Sequence, residues 1–274
     1  MQLRKILIYF IVFSLFIPSS WAASKKLKKS KKKYIFTAAS AIIVNLDNDK
    51  IIYKKDIYAK HEPASTLKLL TALIALEDLG IKKGVKVSKK ATLAEPSKIW
   101  LTEGATFNSL DLVKAALMSS ANDACVAIAE AVSGSESEFA NAMNKRAKKL
   151  GAKSSNFVNA SGLPAKKQYT TAYDLYRIAK TALDNPVIYN IMKTRKCSIN
   201  GDQGSSINLR NHNKLLFRKK HSDTILVKTG YTKSARHCYA GVVYIGNKRY
   251  AIVILRSRKP WADIASLVDF IKKH

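Results

Sequence analysis

Strand-like stretches stand at both ends of this 274-residue chain, with a long block of helical patterning between them, and that order leaves few sheets able to form. Residues 38–45 are apolar and β-rich, turn at Asp47-Asn48 and resume at Ile51-Ile52-Tyr53, which is a hairpin pattern. Near the other end, residues 225–229, 237–245 and 249–255 alternate or run apolar, and Gly246-Asn247 joins the last two as a tight hairpin. Strands from the two chain ends are expected to meet in one antiparallel sheet flanked by helices, an α/β (α+β) arrangement, with the intervening helices forming a helical subdomain. A cleft between two such subdomains is a natural binding site.

The helical block is punctuated. After Pro63, Leu67, Leu70, Leu73, Ile74 and Leu79 recur with helical spacing until Gly80, which puts Ser65 in the first turn of a buried helix. Residues 81–107 read as loops and small strands. Residues 108–119 are helical, the pattern breaks at Ser120-Ala121-Asn122, and it restarts over 124–132. A helix over about 135–150 ends at Gly151, which suits a left-handed cap. A loop over 156–164, a helix over about 171–183 and a short helical piece after Pro186 follow. Ile264, Leu267, Val268 and Ile271 mark a closing amphipathic helix, and no repeat of fixed period is found.

Arg4 and Lys5, the uncharged apolar stretch 6–17, Pro18 and then Ser20-Trp21-Ala22 have the pattern of a secretory signal peptide cut after Ala22. The apolar run is shorter than the roughly 20 residues of a bilayer span. Export to the periplasm or cell envelope is expected, with residues 1–22 as signal peptide, 23–33 as a basic disordered tail and 34–274 as the folded domain of two subdomains.

The net charge is +29, part of it in Lys25, Lys26, Lys28, Lys29, Lys31, Lys32 and Lys33. Such a run reads as a solvated tail. It also suits peripheral contact with anionic membrane lipid or acidic wall polymers, at roughly 1 kcal/mol per lysine. Export argues against nucleic acid as partner. Lys166, Lys167, Lys219 and Lys220 carry the basic character into the folded part. Three cysteines, Cys125, Cys197 and Cys238, imply no disulfide framework, and Cys125 reads as a small core residue.

Three motifs at element boundaries carry chemistry. In Ser65-Thr66-Leu67-Lys68 the helical spacing lets the Lys68 amine reach the Ser65 hydroxyl. A serine is a poor nucleophile until a neighbour takes its proton, and Lys68 can do so only if burial or a second cation such as Lys228 lowers its pKa. The alternative is a surface lysine on an amphipathic helix. Ser120 can relay a proton to a leaving amine while Asn122 holds a substrate amide; alternatively, either residue caps the next helix. In Lys228-Thr229-Gly230, Lys228 offers positive charge, Thr229 a hydroxyl to a carboxylate, and Gly230 close approach of substrate backbone. The N–H groups of Tyr231 and Ser65 can then form an oxyanion hole. The alternative is an ordinary strand exit. Ser-x-x-Lys recurs at residues 30–33 and Ser-x-Asn at Ser154, Ser198 and Ser206, so order and placement distinguish the copies.

Pro63-Ala64-Ser65-Thr66-Leu67-Lys68, Ser120-Ala121-Asn122-Asp123-Ala124-Cys125, Asn159-Ala160-Ser161-Gly162-Leu163 and Val227-Lys228-Thr229-Gly230-Tyr231-Thr232 together resemble the low-molecular-mass D-alanyl-D-alanine carboxypeptidases of serine peptidase family S11. The resemblance covers nearly all the chain after the basic tail. It implies a penicillin-binding/β-lactamase-like fold and a catalytic domain over 34–274 acting on the D-Ala-D-Ala end of peptidoglycan stem peptides, with β-lactams as covalent inhibitors. Ser65 would be acylated, Lys68 would be the base, Ser120 and Asn122 would serve relay and substrate amide, Lys228 and Thr229 would hold the terminal carboxylate, and water would release the acyl group. No metal or organic cofactor is implied.

Three departures stand out. Many relatives append a C-terminal β domain and an amphipathic anchor, and neither is expected here. Arg236 precedes His237-Cys238 where relatives often have Gly. The carboxylate-binding Arg of the family has only Arg256 and Arg258 as nearby candidates, and a missing Arg would favour an endopeptidase cutting D-Ala cross-links. A class A β-lactamase would need a Glu for deacylation, yet Glu138 is the last Glu and no Glu-x-x-Leu-Asn segment occurs. His61, His212, His221, His237 and His274 form no His-Glu-x-x-His helix, against a metallopeptidase. A catalytically idle wall-binding protein is the remaining rival.

Overall fold

The computed structural model describes residues 36–218 and 225–273. The expected signal peptide, the basic tail, the Ser-x-x-Lys copy at 30–33 and Lys219-Lys220 lie outside the described residues. In chain order the elements are β1 (Ser40–Asn45), β2 (Lys50–Lys55), a 3-10 turn (Ala64–Leu67), α1 (Lys68–Asp78), β3 (Gly84–Lys86), α2 (Lys89–Thr92), β4 (Thr106–Asn108), α3 (Ser109–Met118), α4 (Asn122–Ser133) and α5 (Glu136–Lys149). There follow α6 (Ala172–Asp184), α7 (Pro186–Lys193), β5 (Lys196–Asn200), β6 (Ser206–Arg210), a second 3-10 turn (Lys214–Phe217), β7 (Ile225–Thr232), β8 (Arg236–Ile245), β9 (Lys248–Ser257) and α8 (Pro260–Ile271).

The two chain ends share one five-stranded antiparallel sheet in the order β2-β1-β9-β8-β7. Its register follows from the two-residue period of a strand, which sends alternate side chains to opposite faces. On β9, Ala251, Val253 and Leu255 join the core shared with the helices, whereas Tyr250, Ile252 and Ile254 pack with Ile264, Leu267, Val268 and Ile271 of α8. Both faces are therefore dry, and the middle of β8 and β9 is a continuous buried run.

The larger core runs from that sheet face through α6 to α1, which is buried from Lys68 to Ala75 and touches α3, α4, α5 and α6. Leaving β7 as the free edge of the sheet is what positions the site, because the 3-10 turn before α1 packs against that edge.

Local differences from the sequence reading have physical causes. Ser65 lies in a 3-10 turn rather than the first α-turn, with Ala64 at φ 47° and the Thr66 hydroxyl bonded back to the Pro63 carbonyl at 2.5 Å. Within the stretch read as loops and small strands, Ser88 caps the short α2 by accepting from the Ala91 N–H at 3.0 Å. Cys125 is fully buried in the main core, as expected of a small core residue, and all three cysteines are free.

Candidate active site

Four separated segments converge at the β7 edge. In a 3-10 turn the side chains at i and i+3 eclipse. The Lys68 Nζ accordingly lies 2.9 Å from the Ser65 Oγ. The amine also donates to the Asn122 Oδ1 at 2.7 Å and to the Ser161 carbonyl at 2.5 Å. Lys68 is fully buried, so the surface-lysine alternative does not hold.

The break between α3 and α4 carries Ser120 at φ 58°, a left-handed conformation that costs a non-glycine residue about 1 kcal/mol or more. Ala121 occupies the N-cap of α4 without a side-chain bond, so neither Ser120 nor Asn122 acts as the cap. Their side chains turn to the site instead. Ser120 Oγ accepts from Lys228 Nζ at 3.0 Å, and Asn122 is fixed by its own donors, Nδ2 to the Glu95 carbonyl at 2.8 Å and backbone N–H to the Ser97 carbonyl at 2.7 Å. Asp123, fully buried beside it, accepts from the backbone N–H groups of Ile99, Leu101 and Ala124 and so ties the 95–101 loop to α4.

Strand β7 brings the third motif. The Ile225 carbonyl accepts from Asn213 Nδ2 rather than from β8, which assigns the odd-numbered backbone groups to the free edge. By the same alternation the Tyr231 N–H belongs to that edge. Close approach there depends on glycine: a Cβ on Gly230 would stand 2.8 Å from the Ser65 nitrogen, and one on Gly162 would stand 1.9 Å from the Ala64 carbonyl oxygen. A cleft of about 320 Å³ is lined by Ser65, Ser120, Asn122, Thr229, Gly230 and Tyr231, and also by His212, His237, Tyr239 and Trp261.

Burial is the dominant electrostatic fact. It lowers the Lys68 ammonium from the ordinary lysine value of 10.5 to about 8, and burial together with the charge of Lys68 lowers Lys228 to about 7. Among the described residues, both amines bond only to neutral oxygens: hydroxyls of Ser65 and Ser120, the Asn122 amide and the carbonyls of Ser161 and Thr229. Partial desolvation of the ring and the charges of Lys228 and Lys68 lower His212 to about 4, so its imidazole is uncharged near neutrality although the residue is exposed overall.

All eight sequence-nominated residues thus meet around one cleft. Arg256 and Arg258 do not; they line an adjoining groove that shares Tyr231 and His237 with the cleft but lacks Ser65 and Thr229. The extra copies of Ser-x-Asn also lie elsewhere, Ser198 and Ser206 on the exposed β5–β6 hairpin and Ser154 bonded to Asp174. Sequence reasoning gave no role to Ser161, whose carbonyl holds Lys68, or to Gly162, which packs on Ala64. The 159–163 block was visible as a motif, but a carbonyl acceptor leaves no mark on residue identity.

The peptidase S11 family, described as D-alanyl-D-alanine carboxypeptidase, matches residues 26–259. The D-alanyl-D-alanine carboxypeptidase DacF of Bacillus subtilis is 32% identical over 278 residues, covering 98% of this chain and 70% of that protein. The D-alanyl-D-alanine endopeptidase of Escherichia coli is 31% identical over 224 residues, covering 80% of this chain and 71% of its own length. The crystal structure of a D-alanyl-D-alanine carboxypeptidase from Mycobacterium tuberculosis H37Rv matches with a TM-score of 0.81 at 29% identity, covering 88% of this chain and 92% of that one.

Proposed function

Because the chain belongs to the peptidase S11 family of serine-type D-alanyl-D-alanine carboxypeptidases, we propose that it is an exported DD-peptidase that removes the terminal D-Ala from D-Ala-D-Ala stem peptides of peptidoglycan through an acyl-enzyme on Ser65. One observation carries this reading: a buried Lys68 amine with a pKa near 8 lies 2.9 Å from the Ser65 hydroxyl and has no carboxylate partner among the described residues.

In this mechanism Lys68 takes the Ser65 proton as Oγ attacks the penultimate D-Ala carbonyl. The N–H groups of Ser65 and Tyr231 hold the resulting oxyanion, a contribution of about 3 kcal/mol per donor in serine enzymes. Ser120, held by Lys228, relays the proton from Lys68 to the leaving D-Ala amine, which returns Lys68 to its neutral form, and Asn122 fixes the acyl-side amide. The terminal carboxylate docks on Thr229 and Lys228. That docking favours charge on Lys228, and a charged Lys228 drives its neighbour Lys68 neutral just when Ser65 needs a base. Water then attacks the ester with Lys68 again as base, and β-lactams acylate Ser65 by the same route. The signal-peptide pattern assigns the work to the periplasm or cell envelope, with the basic tail available for peripheral contact with the membrane or wall.

A fluorescent penicillin tests the reading: the wild type acquires a covalent label, and Ser65→Ala loses both label and D-Ala release while keeping its fold by circular dichroism. Release of D-Ala by the Ser65→Ala protein would remove Ser65 as nucleophile.

Endopeptidase action on D-Ala cross-links is the second reading. It is favoured by Trp261 and Tyr239 lining the cleft while Arg256 and Arg258 stay out of it, which weakens selection for a free terminal carboxylate. Digestion of cross-linked and uncross-linked muropeptides side by side separates the two.

A further inference from the structure

Beyond Tyr231 the cleft opens into a second groove of about 710 Å³ that shares Tyr231 and His237 with it. Lys55, Arg236, Arg256 and Arg258 line this groove, and no carboxylate does. Lys55 Nζ is engaged by the carbonyls of Phe36 and Ala38 at 3.4 and 2.6 Å. The three guanidinium groups have no hydrogen bond or ion pair among the described residues, whereas Arg146 and Arg249 elsewhere on the surface each find a carboxylate.

The backbone is bent to present them. Between the pairs His237 with Ser257 and Tyr239 with Ile254, Leu255 and Arg256 of β9 stand opposite Cys238 alone, a bulge. Arg256 occupies it at φ 55°, and Arg236 begins β8 at φ 58°, both in the left-handed region that favours glycine. Bulges beside active sites re-aim a side chain.

The direction of the substrate follows from β7. Thr229 receives the leaving residue's carboxylate and the Tyr231 N–H receives the scissile carbonyl, so an extended peptide passes from Thr229 to Tyr231 and its remaining acyl part continues into the basic groove. The residue preceding D-Ala-D-Ala falls within one or two strand steps of Tyr231, each about 3.3 Å.

We propose that this groove reads a free carboxylate on the acyl side of the stem peptide, at the residue preceding D-Ala-D-Ala, and that Arg236, Arg256 and Arg258 are its specificity-determining residues. The proposal rests on the Ser65 acyl-enzyme reading and deepens it by naming the substrate class: stem peptides with an unamidated acidic residue, over their amidated counterparts.

The test uses the full chain and two synthetic peptides ending in D-Ala-D-Ala that differ only in a free carboxylate or a carboxamide on the preceding residue. The wild type is expected to favour the carboxylate by roughly tenfold in kcat/KM, near the low end of what a hydrogen bond to a charged group contributes. Arg236→Gln/Arg256→Gln/Arg258→Gln should bring the ratio close to one by slowing only the carboxylate peptide. Equal rates for both peptides in the wild type, or equal slowing of both in the variant, would overturn the proposal. Covalent labelling by a small penicillin, run in parallel, reports the cleft alone. Normal label without peptide discrimination overturns this proposal and leaves the acyl-enzyme reading standing, whereas absence of label in the wild type overturns both.

Discussion

The cations inside the cleft and those on the surface of this molecule live by opposite rules. On the surface, Lys114, Arg146, Lys180 and Arg249 each sit within 3.1 Å of a carboxylate, on Asp111, Glu77, Asp49 and Asp184. In the cleft, Lys68 and Lys228 are wholly buried and are offered only hydroxyls, carbonyls and an amide. A carboxylate stabilises the ammonium and keeps the proton on; burial among neutral oxygens does the reverse. The exposed pairs contribute at most a little stability, while the interior lysines are poised to lose a proton near pH 7 to 8. Basicity is exposed where protection from charge is greatest, which is what a base for Ser65 requires.

The strongest way to break this contrast is to make the interior cation permanent. Lys68→Arg keeps the charge and a donor, but a guanidinium cannot be deprotonated in a protein. Acylation by a penicillin, followed as label against time, should fall by about 10³-fold, the middle of the range for a positioned general base. A variant that acylates at the wild-type rate would show that Lys68 serves only to hold the turn.

A smaller effect comes from giving the interior lysine what the surface ones have. Asn122→Asp would set a carboxylate where the Asn122 Oδ1 now lies, 2.7 Å from Lys68 Nζ. An opposite charge at that range raises an amine pKa by about 1 to 3 units. In the wild type kcat/KM should rise with pH through about 8 as Lys68 becomes neutral. In the variant the rising limb should move up, cutting the rate near pH 7 by about 10- to 10³-fold in proportion. Stability should respond as well. With Lys68 at about 8 when folded and at the ordinary 10.5 when unfolded, the unfolded chain binds more protons between those values, so wild-type stability gains from this group as pH climbs from 8 to 10.5. Raising the folded pKa removes that gain. Urea melts at pH 7.5 and 10 on both proteins measure the difference, and an unchanged pH profile would sink the account of Lys68.

How far the sequence carried can be judged at three places. The sheet was legible because alternation over 38–45 and 249–255 fixes which side chains face α8 and which face the helices, and only pairing of the two chain ends satisfies both. The convergence of Ser65, Ser120 and Lys228 was legible because three motifs in one order are far more specific than any of them alone. A buried helix after Ser65 was legible too, but the complete burial of Lys68 was not, since a lysine in that turn also reads as a surface residue of an amphipathic helix. Nor was the 3-10 turn, which depends on Gly162 and Gly230 closing on Ala64 and Ser65 from remote parts of the chain. Ser161 was invisible as a Lys68 partner because its contribution is a backbone carbonyl. Arg256 and Arg258 read only as nearby candidates for the family's carboxylate-binding arginine, and both line the neighbouring groove.

The gentlest test works from the other side, by removing a surface partner. Glu77 at the end of α1 accepts from Arg146 of α5 in a two-pronged pair, at 2.8 Å from Nε and 2.6 Å from Nη2. Both side chains keep about a third of their exposure, 28% and 35%, so solvent screens the attraction. Glu77→Gln should therefore cost about 0.5 kcal/mol, within the range for exposed pairs, and should lower the melting temperature by only about 1 to 2 °C in a domain of this size. It should leave the penicillin acylation rate and its pH limb untouched, because the pair joins the far end of α1 to α5 and no charge in the cleft depends on it. A shifted limb in Glu77→Gln would mean that surface charge reaches Lys68 through α1. The poise of the buried amine would then belong to the whole electrostatic field of this basic molecule, and not to the neutral cage formed by Ser65, Asn122 and Ser161.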